Sequence, residues 1–251
     1  RHKLYWRFRM RCLLSPQYQH RKDIQLSLAS HGYALDNGAY IHHKKRESFD
    51  NESFERMCIR YGKGADFVVI PDVVGDSEMT IYLAQYWVPR LKDLGFEKRL
   101  FFVWQDGMKA EDLHPFICDG INIFVGGTTS AKLENMDWIS SMCEDWNVYC
   151  HIGRVNTKNR LHKCIRARAS SFDGSAWSCF PHTFQYLEQL EKQPLLFPSR
   201  GHYPLLRSRE ERCLSLDINK ESLVDWEMEM RKQETAGIGA PSKGHYSVLY
   251  T

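Results

Sequence analysis

The chain has 251 residues, 43% hydrophobic and 26% charged, with a net charge of only +3 and a pI near 8.4. That length suits a single domain with a substantial core, and no run is apolar enough for a transmembrane helix. So mild a basic excess does not by itself imply nucleic acid.

Eight cysteines (12, 58, 118, 143, 150, 164, 179 and 213) are scattered without any C-x-x-C pair. They signal neither a disulfide framework nor a structural zinc site, and a reducing setting is expected. The opening Arg1-His-Lys-Leu-Tyr-Trp-Arg-Phe-Arg-Met10-Arg11 lacks the apolar core of a signal peptide, so a cytoplasmic location is expected.

In chain order, short apolar runs alternate with stretches of helical spacing. A first strand is predicted at residues 10–15 and a second at 33–36, where Asn37-Gly38 breaks it. Residues 49–62 carry Phe49, Phe54, Met57, Cys58 and Tyr61 on one helical face, with Asp50 or Asn51 as N-cap and Gly62 or Gly64 as stop. Strand 66–71 precedes a helix over 77–94, inside which Pro89 is expected to kink or split the chain. Strand 99–105 leads to a helix near 110–117, strand 120–125 to one near 130–146, and strand 148–153 to a basic helix over 157–168. Residues 170–173 form the last clear strand.

Seven strand–helix units of this kind predict an α/β fold, a (β/α)8 TIM-like barrel over residues 1–180. The missing strand is sought in residues 4–8 or after 190. Residues 181–251 read as a helical and loop extension packed on the barrel, with helices at 183–192 and 220–233 and a peripheral or mobile Gly-, Pro- and Ser-rich tail from 236.

The strand tips carry the chemistry. Asp36, Asp72 and Asp173 each end an apolar run, and Gln105 and Asp106 end a fourth. An aspartate at such a place also caps helices or builds Asx turns, but a barrel brings all its strand ends to one mouth. Two carboxylates with separate tasks, one attacking an anomeric carbon and one moving protons, are what glycosyl chemistry requires.

Gln105 offers a donor and an acceptor suited to a nucleobase edge, and Gly126-Gly127 would let backbone approach a planar ligand with its amides free to donate. Tyr40 is a stacking candidate, whereas Trp104 reads as core. The histidines at 42, 43, 114, 151, 162, 182 and 202 show no metal-ligand spacing and read as structural or phosphate-facing. Arg154, Lys158, Arg160, His162, Lys163, Arg166 and Arg168 lie within fifteen residues that contain no acid. With a second group at Arg200, Arg207, Arg209 and Arg212, that run points to phosphate contacts, the alternative being a solvated helix face.

This ordered set resembles the tRNA-guanine transglycosylase superfamily, most closely its DNA-acting branch, the 7-deazaguanine DNA transglycosylases of phages and bacterial modification islands. Leu35-Asp36-Asn37-Gly38-Ala39-Tyr40 is similar to the family's Asp-Ser-Gly-Gly-Phe element, and Ile70-Pro71-Asp72 sits where the family places a base-recognising Asp. Val103-Trp104-Gln105-Asp106-Gly107 resembles its Val-Gln-Gly-Gly, and Phe124-Val125-Gly126-Gly127 its Ile-Gly-Gly. Ser171-Phe172-Asp173-Gly174-Ser175 resembles the segment bearing its nucleophilic Asp. The tRNA enzymes bind zinc downstream of that residue through C-x-C-x-x-C and a His. Here only Cys179 and Cys213 follow, so no zinc subdomain and no metal are expected.

The resemblance implies exchange of guanine in DNA for a 7-deazaguanine derivative such as 7-cyano-7-deazaguanine, with no cofactor. Asp173 would be the nucleophile and Asp36 the proton-transfer residue. Asp72, Gln105, Gly126, Gly127, Asn37 and Tyr40 would bind the base, and Arg154, Lys158, Arg160, Lys163, Arg166 and Arg168 the nucleic acid. A phage-encoded enzyme would work in the host cytoplasm. The competing readings are a related enzyme acting on RNA, a nucleoside or glycoside hydrolase, and a non-catalytic nucleic-acid-binding barrel.

Overall fold

The structure, a computed structural model, describes residues 10–19, 24–191, 208–235 and 247–250. Seven parallel strands run in sequence order: β1 (Arg11–Leu14), β2 (Tyr33–Leu35), β3 (Val68–Val69), β4 (Leu100–Trp104), β5 (Asn122–Val125), β6 (Cys150–Ile152) and β7 (Ser171–Gly174). The sheet closes through β8 (Ser247–Tyr250), antiparallel to both β1 and β7.

The eighth strand is thus not an eighth strand–helix unit. It comes from the tail expected to be peripheral, whose last residues supply the pairing that β1 and β7 otherwise lack. The alternative location at residues 4–8, all but the last two residues of the loop expected over 194–209, and tail residues 236–246 lie outside the described residues.

Between the strands run α1 (Ile24–His31), α2 (Ala39–Lys45), α3 (Asn51–Tyr61), α4 (Ser77–Asp93), α5 (Ala110–Cys118), α6 (Thr129–Asp145) and α7 (Lys158–Arg166). After β7 come α8 (Ser175–Cys179), α9 (Phe184–Glu191), α10 (Arg209–Ser215) and α11 (Lys220–Thr235). Local chemistry sets many of the starts. Asp50, Asp76, Thr128 and Thr157 each accept a hydrogen bond from a first-turn amide, satisfying a donor that the helix cannot. Gly62 follows the last residue of α3. α4 runs unbroken through Pro89. The short helices α1, α2, α8 and α10 were not expected from periodicity.

Strand alternation divides the apolar residues into two cores. Leu13, Ala34, Phe67, Val69, Phe101 and Val103 fill the barrel interior with Phe124. Their neighbours in sequence, such as Leu14, Leu35, Val68, Phe102, Trp104, Ile123, Val125 and Ile152, face the helices. Trp104 belongs to that outer core, as expected, and its indole N–H donates to the Met108 carbonyl at 3.1 Å.

The amino-terminal end of the barrel is closed by charge. Arg11 lies 2.6 Å from Asp66, and Arg212 on α10 donates to the Ala29 carbonyl at 2.9 Å. Two members of the second basic group are therefore engaged within the fold. Arg212 is buried at the wrong end, Arg209 pairs with Glu227 at 3.0 Å, and Arg200 and Arg207 lie outside the described residues.

Candidate active site

Parallel strands deliver their carboxyl ends to one face of the barrel, and side-chain parity then selects which residues point inward. Ala34, Val103, Phe124, His151 and Ser171 face the interior, so the residues two further on reach the mouth: Asp36, Gln105, Gly126, Gly153 and Asp173. Asp72 joins them from the loop after β3. The charges of Asp173 and Asp72 both bear on Asp36, as one shared mouth requires.

Asp72 is the centre of a buried network. Its Oδ1 accepts from Asn37 Nδ2 at 2.7 Å and its Oδ2 from Gln105 Nε2 at 2.6 Å. Asn37 also donates to the Ile70 carbonyl at 2.8 Å, and Gln105 Oε1 accepts from the Gly75 amide at 3.1 Å. Asn37 and Gln105 therefore orient Asp72. Each oxygen of the carboxylate keeps a further lone pair for a ligand.

Asp173 is held from two sides. Its Oδ1 accepts from the Arg154 amide at 3.1 Å, and His151 Nε2 lies 3.1 Å from Oδ2. His151 Nδ1 is 2.7 Å from Ser171 Oγ, and the ring is fully buried among Phe67, Phe101 and Phe124. Both ring nitrogens are thereby engaged, Nε2 by Asp173 and Nδ1 by Ser171. Reading His151 as structural or phosphate-facing missed this contact. The signal was available, because His151, Ser171 and Asp173 share inward parity on adjacent strands.

The carboxylates differ in proton affinity. Burial, then the charges of Asp173 and Asp72, raise Asp36 to about 7, against weaker help from the Gly38 and Asn37 amides. Burial raises Asp72 only to about 6, because Asn37, Gln105 and the Arg154 charge oppose it. Asp36 is partly exposed and accepts from the Gly38 amide at 3.2 Å; Gly38 there adopts φ 78°, which suits glycine.

Other expected residues are placed differently. The Gly126 amide is not free to donate, since it bonds the Trp104 carbonyl at 3.0 Å. Its lack of a side chain serves the β4 contact: a Cβ there would stand 2.6 Å from Val103 Cγ1 and 3.3 Å from Gln105 Nε2. Gly127 takes φ +64°, and its carbonyl accepts from the Arg154 guanidinium. Tyr40 is 48% exposed, with Arg154 centred 4.6 Å over its ring, so one aromatic face is already covered.

The basic run does not form one face. α7 leads from the mouth toward the opposite end, so Arg166 lies about 12 Å along the helix axis from Lys158. Arg154 and Arg160 stand at the mouth, Arg160 donating to the Arg154 carbonyl at 3.2 Å. Lys158 reaches Gln189 at 3.2 Å, Lys163 points to the Leu133 carbonyl, and Arg168 pairs with Glu144 at 2.8 Å. Arg166 is exposed near the far end. Sequence reasoning also missed Lys132, a buried α6 lysine that donates to the Gly153 carbonyl.

No group of His, Cys, Asp and Glu among the described residues is placed to hold a metal ion, and no described helix is long and apolar enough to cross a membrane. No family model, curated protein or solved structure matches the chain.

Proposed function

We propose that the protein is a base-exchange transglycosylase that replaces guanine in DNA with a 7-deazaguanine derivative through an aspartyl glycosyl-enzyme. One observation carries this reading: Asp36, Asp72 and Asp173 converge on one mouth in three different environments. Each environment suits one task. Asp173, oriented from both sides, attacks C1′ of a flipped-out nucleotide, and the C1′–N9 bond breaks with its electron pair leaving on guanine. Asp36, raised to about 7, gives that base a proton. The incoming base then returns its N9 proton to Asp36, N9 attacks C1′, and the ester to Asp173 breaks.

Asp72 recognises the base. Its remaining lone pairs accept from N1–H and the exocyclic amino group, which guanine and 7-deazaguanine share. The fully buried Asn37–Asp72–Gln105 network fixes its orientation before the base arrives, so binding energy is not spent on ordering it. DNA is the proposed polymer because the ordered strand-end motifs resemble most closely the DNA-acting branch of the superfamily.

The test supplies guanine-containing single- and double-stranded DNA, the matching RNA, and labelled 7-cyano-7-deazaguanine. Label entering DNA with stoichiometric release of guanine is the expected result. Release of guanine without incorporation would make the protein a hydrolase, and incorporation into RNA alone would exchange the polymer.

A further inference from the structure

Beside the carboxylate mouth, the start of α6 and the loop from β6 to α7 frame a water-sized recess open to solvent, lined by Thr129, Lys132, Gly153, Arg154 and Arg160 with apolar neighbours. No acidic residue lines it. We propose that Lys132, Arg154 and Arg160 form a binding site for one phosphate group, placed beside Asp173 to hold the backbone of the nucleotide under attack. The placement on a nucleotide rests on the base-exchange reading; the affinity for phosphate does not.

The three cations feel the carboxylates of the mouth but pair with none of them. Among the described residues their side chains make no ion pair and donate only to neutral carbonyls: Lys132 to Gly153, Arg154 to Gly127 and Arg160 to Arg154. Elsewhere in the fold, Arg11, Arg168 and Arg209 each meet a carboxylate within 3.0 Å. Placing two guanidinium groups near a buried ammonium is unfavourable. Burial first, then the charges of Arg154 and Arg160, lower Lys132 to about 7, while Asp173 opposes them. An anion in the pocket would relieve this repulsion and keep Lys132 charged.

The backbone ties the pocket to the proposed nucleophile. Lys132 and Asp173 grip opposite sides of the same peptide: the Gly153 carbonyl accepts from Lys132, and the Arg154 amide donates to Asp173 at 3.1 Å. Arg154 holds φ 58°, a left-handed conformation that a non-glycine residue adopts at a cost. With it, one residue offers its amide to Asp173, its carbonyl to Arg160 and its guanidinium to the Gly127 carbonyl, and itself lines the pocket.

Calorimetry at fixed ionic strength would compare inorganic phosphate, deoxyguanosine and deoxyguanosine 5′-monophosphate on wild type, Lys132→Met and Arg160→Met. Lys98→Ala, at the opposite end of the barrel, is the charge-matched control. Phosphate should bind wild type, and the monophosphate should bind at least tenfold more tightly than deoxyguanosine. Either Met variant should weaken both phosphate ligands at least tenfold and leave deoxyguanosine unchanged. Should Lys132→Met fail to fold, Arg160→Met, on a partly exposed side chain, reads the same quantity.

Inorganic phosphate that depends on Lys132 and Arg160, with no advantage of monophosphate over deoxyguanosine, would keep the pocket for free phosphate and overturn its nucleotide placement. Equal phosphate affinity in wild type and both variants would overturn the site. Base exchange assayed in parallel separates the two claims: phosphate binding without exchange removes the transglycosylase and leaves the pocket, and exchange without phosphate binding does the reverse.

Discussion

His151 Nε2 lies 3.1 Å from Asp173 Oδ2, although 22 residues separate the two in the chain. The contact joins neighbouring parallel strands inside a barrel, with Ser171 one layer deeper on the far side of the ring. An imidazole so enclosed by phenyl rings has little freedom, and it passes that rigidity to the Asp173 carboxylate.

His151→Phe keeps an aromatic ring in the barrel interior and removes the bond to Asp173. We expect base exchange to lose at least tenfold in kcat with KM for DNA nearly unchanged, since only the orientation of the attacking oxygen is affected. A variant that loses KM and stability but keeps kcat would make His151 a packing residue. Ser171→Ala should show the same split in smaller measure.

In the proposed mechanism an ester between C1′ and Asp173 would persist until a base arrives, so it should accumulate when no acceptor is supplied. Mass spectrometry of the denatured protein after incubation with a guanine-containing oligonucleotide should find the adduct on the peptide carrying Asp173. Asp173→Ala should abolish adduct and exchange together. An adduct mapped to Asp36 would interchange the two roles.

Asp72→Asn turns one carboxylate oxygen into an amide that must face the donor of Asn37 or of Gln105. The clash should destabilise the fold by about 1–3 kcal/mol and weaken free-base binding at least tenfold. Thermal unfolding and calorimetry read the two effects separately. Unchanged base affinity alongside lowered stability would leave Asp72 a structural carboxylate.

Asp36 holds its proton more tightly in the folded chain, at about 7 against 3.8 unperturbed. Stability from this proton is therefore complete below 3.8 and is lost as pH rises through about 7. Asp72, raised to about 6, acts in the same direction. Asp36→Asn removes the penalty of a charged Asp36, so it should leave the melting temperature nearly unchanged near pH 4. At pH 8 it should raise it by a few degrees, on the order of 1–3 kcal/mol. An equal shift at both values would show that folding does not raise the proton affinity of Asp36. Exchange activity should fall in the variant at either pH.

The seven parallel strands and most long helices were legible from local pattern, because an inward-facing strand and an amphipathic helix each write their period into consecutive residues. Asp50 as a cap and Gly62 as a stop were equally local. The mouth was legible too, since strand-end position and parity are properties of the chain once the barrel is inferred. Three things were not. The antiparallel β8 depends on an opening between β1 and β7 that exists only after the other seven strands have assembled. The basic run looked like one surface because neighbouring charges are close in sequence, yet a helix leading away from the mouth spreads them along its length. His151 and Lys132 gained their roles from residues on other elements, at distances that no spacing in the chain encodes.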